Sequence, residues 1–95
     1  MGLFVLMCVD HPGALERRMS VREQHLAYVR EHLNLVKVAG PLLDGAGEMA
    51  GSMFVIEAPD QAAVEAFSAA DPYRLAGVFE RVELHPWKVT VGALA

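Results

Sequence analysis

The chain has 95 residues, of which 54% are hydrophobic, and a formal charge of −4 with no basic block. Phosphate contact needs clustered Lys and Arg, so the composition argues against a nucleic-acid partner. No apolar run approaches the ~20 residues of a membrane helix, which argues against a membrane partner. The lone cysteine, Cys8, offers no disulfide frame and fits a reducing compartment, with the cytoplasm as the expected location.

Residues 3–9 form a continuous apolar run that is too short for a helix between its breakers, and they read as a strand buried on both faces. The run lacks a basic leader and a cleavage pattern, so it is not read as a signal peptide. The turn cluster Asp10-His11-Pro12-Gly13 follows, then a short helical turn over 14–19. Ser20 and Glu23 have the spacing of a capping box, and a regular helix is expected over 21–33 with Leu26, Val29 and Leu33 facing inward. Residues 35–39 form a second strand around Lys37, ended by Gly40-Pro41, and 44–47 make a hairpin-like connection. Residues 52–58 form a third strand, mostly apolar on both faces. Asp60 is the expected N-cap of a second helix that ends near Ala70. Asp71-Pro72 starts another short helical turn, closed by Gly77. A fourth strand lies within 79–91, carrying Arg81, Glu83 and Lys88, with Pro86 marking a bend or an edge.

The order strand, helix, strand, strand, helix, strand, in one domain over 1–95, predicts a ferredoxin-like α+β fold. Its natural form is a four-stranded antiparallel sheet in the order 4-1-3-2 with both helices on one face. Strands 1 and 3 are then central, and they are the two apolar on both faces; strands 2 and 4 are edges, and they carry the charges. A charge-free open face needs a cover, and the sheet of a second copy is the simplest one. The expectation is a homodimer of the dimeric α+β barrel type, with association beyond two copies left open.

This topology gathers three distant segments at one end of the sheet: Arg22 and His25 in the first turns of helix 1, the Gly40-Pro41 segment, and Asp71-Pro72-Tyr73. A His-Asp pair is an acid/base device, because the carboxylate fixes the ring tautomer while the other nitrogen exchanges a proton with substrate. Arg22, one turn from His25, is placed to hold a substrate carboxylate or enolate, and Gly40, Pro41 and Tyr73 complete the candidate substrate-binding set. Taken singly, each has a plainer reading: Asp71 caps a helix, His25 lies on a surface, Tyr73 packs. The weight comes from their convergence. His25 and His32, seven residues apart, stand ~10 Å apart on a helix, too far for a shared zinc. No metal is assigned, and whether His11 joins the site is left open.

The segment from Arg18 through Arg22 to His25-Leu26 resembles the "R…R..HL" signature of the YciI-like (YCII-related) proteins. Ala39-Gly40-Pro41-Leu42 with Gly51-Ser52 is similar to their "GP…G[ST]" segment, Asp71-Pro72-Tyr73 with Gly77-Val78 to "DPY…GV", and residues 82–87 to their final "V.(+)PW" strand. The resemblance covers residues 3–87. It implies a ferredoxin-like fold, dimerisation, and an active site centred on a His-Asp pair, here His25 and Asp71; it implies no particular metal or organic cofactor, and none is assigned. One branch of the family is linked to dehydrochlorination of a chlorinated hydroxyhydroquinone, a lyase reaction.

The expected function is therefore a small enzyme acting by proton transfer or elimination on a small anionic or phenolic molecule. Two rivals stand beside it. One is a muconolactone-isomerase-like or cofactor-free monooxygenase-like enzyme, on analogy of fold. The other is a non-catalytic ligand-binding or accessory dimeric domain, in which Asp71 only caps.

Overall fold

A computed structural model describes residues 1–94. The chain runs β1 (Gly2–Asp10), α1 (Leu15–Ser20), α2 (Arg22–Arg30), β2 (Val36–Leu43), β3 (Met49–Ala58), α3 (Gln61–Ala69), α4 (Pro72–Leu75) and β4 (Phe79–Trp87). The strands form one antiparallel sheet in the order β2-β3-β1-β4, with the helices on one face. This is the expected order read from the other edge.

The core follows from strand parity. Phe4, Leu6 and Cys8 on β1 and Phe54, Ile56 and Ala58 on β3 point to the helix side, where they meet Val64 and Phe67 of α3 and Val36 of β2. Burial pushes the Cys8 thiol up to about 12, so it stays neutral and packs as a small apolar group, without the thiolate a covalent role needs. Where β1 and β3 come together at Val9 and Gly51, a Cβ on Gly51 would stand 2.5 Å from the Cys8 carbonyl oxygen. Only glycine fits there.

Four local expectations are corrected. The first concerns Ser20, which does not cap α2. It is the last residue of α1, and its hydroxyl donates back to the Arg17 carbonyl at 2.7 Å; Val21, with no side-chain cap, occupies the cap position. The chain passes from α1 to α2 through that one residue, so no free helix start exists for a capping box.

The second correction is that α2 stops at Arg30 rather than Leu33. Turn bonds over 29–36 replace the helical ladder, which leaves Leu33 exposed; His25 is the buried residue of α2, with Leu26, Tyr28 and Val29 half-buried. Third, β2 does not end at Gly40-Pro41 but runs through it to Leu43, with Gly40 paired to Met53 and Pro41 to Ser52. An edge strand tolerates a proline, which has no amide to donate. The fourth is that β4 ends at Trp87, so Lys88, expected within the strand, lies beyond it.

The caps at Asp60 and Asp71 are as expected. Asp60 accepts from the Ala63 amide at 2.9 Å, and Asp71 from the Tyr73 amide at 2.9 Å. The opposite face of the sheet carries no helix. Its middle is apolar, with Val5, Met7, Met53, Val55 and Val38, and its borders hold the Lys37–Glu57 pair and the Arg81-Glu83-His85 row.

Candidate active site

Between α2, β2 and β3 lies a partly open cavity of about 110 Å³. Arg22, His25, Gly40, Pro41 and Tyr73 all line it, so five of the six residues expected at the site share one cavity. Gly40 and Pro41 do so as a stretch of strand rather than as a turn, presenting backbone and ring as a flat wall.

The sixth, Asp71, stands behind the wall, 2% exposed. Its Oδ1 accepts from Nδ1–H of His25 at 2.8 Å and from the backbone N–H of Tyr73 at 2.9 Å. Capping and holding the histidine are therefore done by one oxygen. A carboxylate only accepts, so Nδ1 carries the ring proton and the neutral imidazole keeps its lone pair on Nε2. Nε2 has no hydrogen-bond partner among the described residues. No buried side-chain nitrogen or oxygen among the described residues lacks one, so Nε2 is accessible from the cavity that His25 lines.

The ring is fixed on its flat side as well. The Tyr73 ring stacks on it with centroids 3.9 Å apart and planes 16° apart, and Phe54 meets it edge-on at 6.0 Å. The Arg18 guanidinium lies 4.3 Å from the centroid of the same tyrosine. Burial raises the Tyr73 phenol above its ordinary pKa against the opposing pull of Arg18, so it stays protonated at neutral pH.

Three residues without an assigned role in the sequence form the floor behind this stack. Arg18, 1% exposed, donates through Nε and Nη2 to the two carboxylate oxygens of Asp10 at 2.8 and 2.9 Å, and through Nη2 to Ser52 Oγ at 2.9 Å. Burial works to lower the Arg18 pKa, but the hydrogen bond and charge of Asp10 outweigh it and hold it above the ordinary arginine value. Arg18 and Ser52 line the cavity; Asp10 lies behind them. A signal for this network exists in strand parity. Asp10 continues the buried series Phe4, Leu6, Cys8, and a carboxylate on the buried face of a central strand requires a cation.

Arg22 makes no ion pair among the described residues and lines the cavity half-buried, which leaves its charge free for a ligand. His11 does not join this cavity. It is exposed, 3.8 Å from Glu80, and lines a separate depression with Asp44 and Glu48. Trp87, on β4, is also remote from the cavity.

The chain is 36% identical over 94 residues to Protein YciI of Escherichia coli O6:H1, an alignment spanning 90% of this chain and 96% of that one. Its structure is similar to that of 5-chloro-2-hydroxyhydroquinone dehydrochlorinase (TftG) from Burkholderia phenoliruptrix AC1100 in complex with 2,5-dihydroxybenzoquinone. The TM-score is 0.85 at 32% identity, covering 90% of this chain and 93% of that one. An antibiotic biosynthesis monooxygenase shares the fold alone, with a TM-score of 0.58 at 13% identity over 96% of this chain and 100% of the other. The model of the YCII-related domain matches residues 2–88, and the chain belongs to that family.

Proposed function

We propose that this protein is a small acid/base enzyme acting on a phenolic or otherwise anionic molecule of about one ring, by proton transfer or elimination. The observation that carries this reading is the buried His25–Asp71 hydrogen bond on the wall of the cavity, with Nε2 left unbonded. In an elimination, Nε2 takes a proton from a ligand O–H or C–H. The electron pair of that bond stays on the ligand, and the leaving group departs with its own pair as an anion. The Asp71 carboxylate stabilises the imidazolium so formed, and Arg22 offsets negative charge on the ligand. A cavity of roughly 150 Å³ accepts benzene, so about 110 Å³ with an open side suits a single ring.

The likeness to a dehydrochlorinase of a chlorinated hydroxyhydroquinone supports elimination over other acid/base chemistry. The test is chloride release from 5-chloro-2-hydroxyhydroquinone by the whole chain and by His25→Gln. The variant is expected to lose roughly 10²–10⁴-fold in rate. Release at the wild-type rate would overturn the assignment of His25.

We propose in addition that the protein works as a homodimer joined through the open sheet face, at least as a pair. Val5, Met7 and Met53 on the central strands, half-buried, form with the exposed Val38 of β2 an apolar patch bordered by paired charges, the composition of an interface core with a polar rim. Sedimentation at micromolar concentration is expected to give a dimer. Val38 is 52% exposed on this face, so Val38→Glu is expected to shift the chain toward monomer without unfolding it. A wild-type monomer at that concentration would remove the argument.

A further inference from the structure

We propose that Ser52, held by Arg18, is a second binding pole of the cavity that donates a hydrogen bond to a ligand oxygen, so that the site selects molecules with at least two oxygen functions. The inference rests on the reading of His25 as the proton-transferring group and adds a specificity residue to it.

Ser52 is 4% exposed, sits on β3 and lines the cavity that His25 also lines. Its Oγ accepts from Arg18 Nη2 at 2.9 Å. That bond turns the oxygen's lone pair toward the guanidinium and leaves the hydroxyl proton to be donated elsewhere. Among the described residues, Ser52 Oγ has no other hydrogen-bond partner, so the cavity is where an acceptor for that proton is to be found. A hydroxyl that accepts from a cation is a stronger donor in turn.

The partners of Arg18 decide what kind of oxygen fits. Both Asp10 oxygens pair with the guanidinium, so little net positive charge is left on this floor. A pole of that sort suits a carbonyl or a phenolic oxygen sharing its charge with a ring, rather than a free phosphate or carboxylate. Arg22, on α2 with His25, is a cation of the cavity that has no ion pair among the described residues. A ligand lying across the cavity thus meets a base at one end and a neutral donor at the floor. That pairing matches a ring bearing a hydroxyl and a second, separate oxygen, as in hydroxyquinones and hydroquinones.

The test is equilibrium titration of the whole chain with two probes, 2,5-dihydroxybenzoquinone and phenol, followed by ligand absorbance. The wild type is expected to prefer the dihydroxybenzoquinone. Ser52→Ala is expected to lose at least about tenfold of that preference, as for one charge-assisted hydrogen bond, with phenol affinity unchanged. Ser52→Thr keeps the hydroxyl and is expected to retain the preference. A merely structural role would weaken both probes alike, and that result, or no change in either, would overturn the inference while leaving the role of His25 standing. A wild-type chain that binds neither probe would overturn this inference together with the phenolic reading of the site.

Discussion

Asp71→Asn is expected to leave the fold intact and remove most of the activity. The substitution separates geometry from charge. As a helix cap, asparagine is about as good as aspartate. Its carbonyl oxygen, standing where Oδ1 stands, can accept from both the Tyr73 amide and Nδ1–H of His25. What it lacks is the negative charge that stabilises the imidazolium formed when Nε2 takes a proton.

Chloride release from 5-chloro-2-hydroxyhydroquinone should therefore drop by roughly 10²–10⁴-fold, while the melting temperature moves by only a few degrees. The ¹⁵N shifts of His25 read the tautomer without any substrate: Nε2 should be unprotonated in the neutral ring of both proteins, so that the loss follows the missing charge and not the tautomer. Full activity in Asp71→Asn would return Asp71 to the role of a cap. A large loss of stability would show that the carboxylate charge holds the α3–α4 junction.

Asp10→Ala is expected to destabilise the chain by about 3–5 kcal/mol, because it leaves the Arg18 guanidinium buried without a counter-charge. Arg18 is almost wholly enclosed and does not lose its proton, so the desolvation of a full charge is left largely uncompensated. In a domain of this length each kcal/mol corresponds to about 4–8 °C of melting temperature, so a fall of more than about 10 °C should be seen. Adding Arg18→Met to the same variant removes the orphaned charge and should recover much of the loss, since an apolar replacement of a buried ion pair is often near neutral. Urea unfolding of the two variants checks both statements. Equal stability of Asp10→Ala and the wild type would mean that water reaches the guanidinium.

The contrast between Asp71 and Asp10 also shows where the sequence was legible. Strand order could be read because it depends on charge: Lys37, Arg81 and Glu83 lie on edges, and no comparable charge interrupts residues 3–9. The meeting of His25, Gly40-Pro41 and Tyr73 then follows from chain direction alone, without any knowledge of side-chain contact. The limits of α2 were not legible in this way. Leu33 continues the helical spacing from Val29, but spacing does not record that the backbone has already turned at 31–35. The cap assignment at Ser20 failed for a related reason, since a capping box presumes a loop before the helix and here another helix precedes it.

The Arg18–Asp10–Ser52 floor went unread because its partners are 8 and 34 residues apart in sequence and only the register of β1 against β3 joins them. The His25–Asp71 pair spans 46 residues and was anticipated, because both residues flank helix starts whose direction the topology dictates. Legibility thus depended on whether a residue's place is set by element direction or by register between strands.

Pro41 in β2 has a consequence outside the cavity it walls. β2 is an outer strand, and an outer strand normally offers a row of amide hydrogens and carbonyls to any extended chain that drifts past. At Pro41 that row is interrupted, since the ring nitrogen has no hydrogen to give, and the neighbouring Gly40 adds no side chain to stiffen a new ladder. The sheet therefore resists growing by one more strand along this border. The residue that lines the cavity thus also removes one donor from this border, and replacing Pro41 with a residue that has an amide hydrogen would restore it.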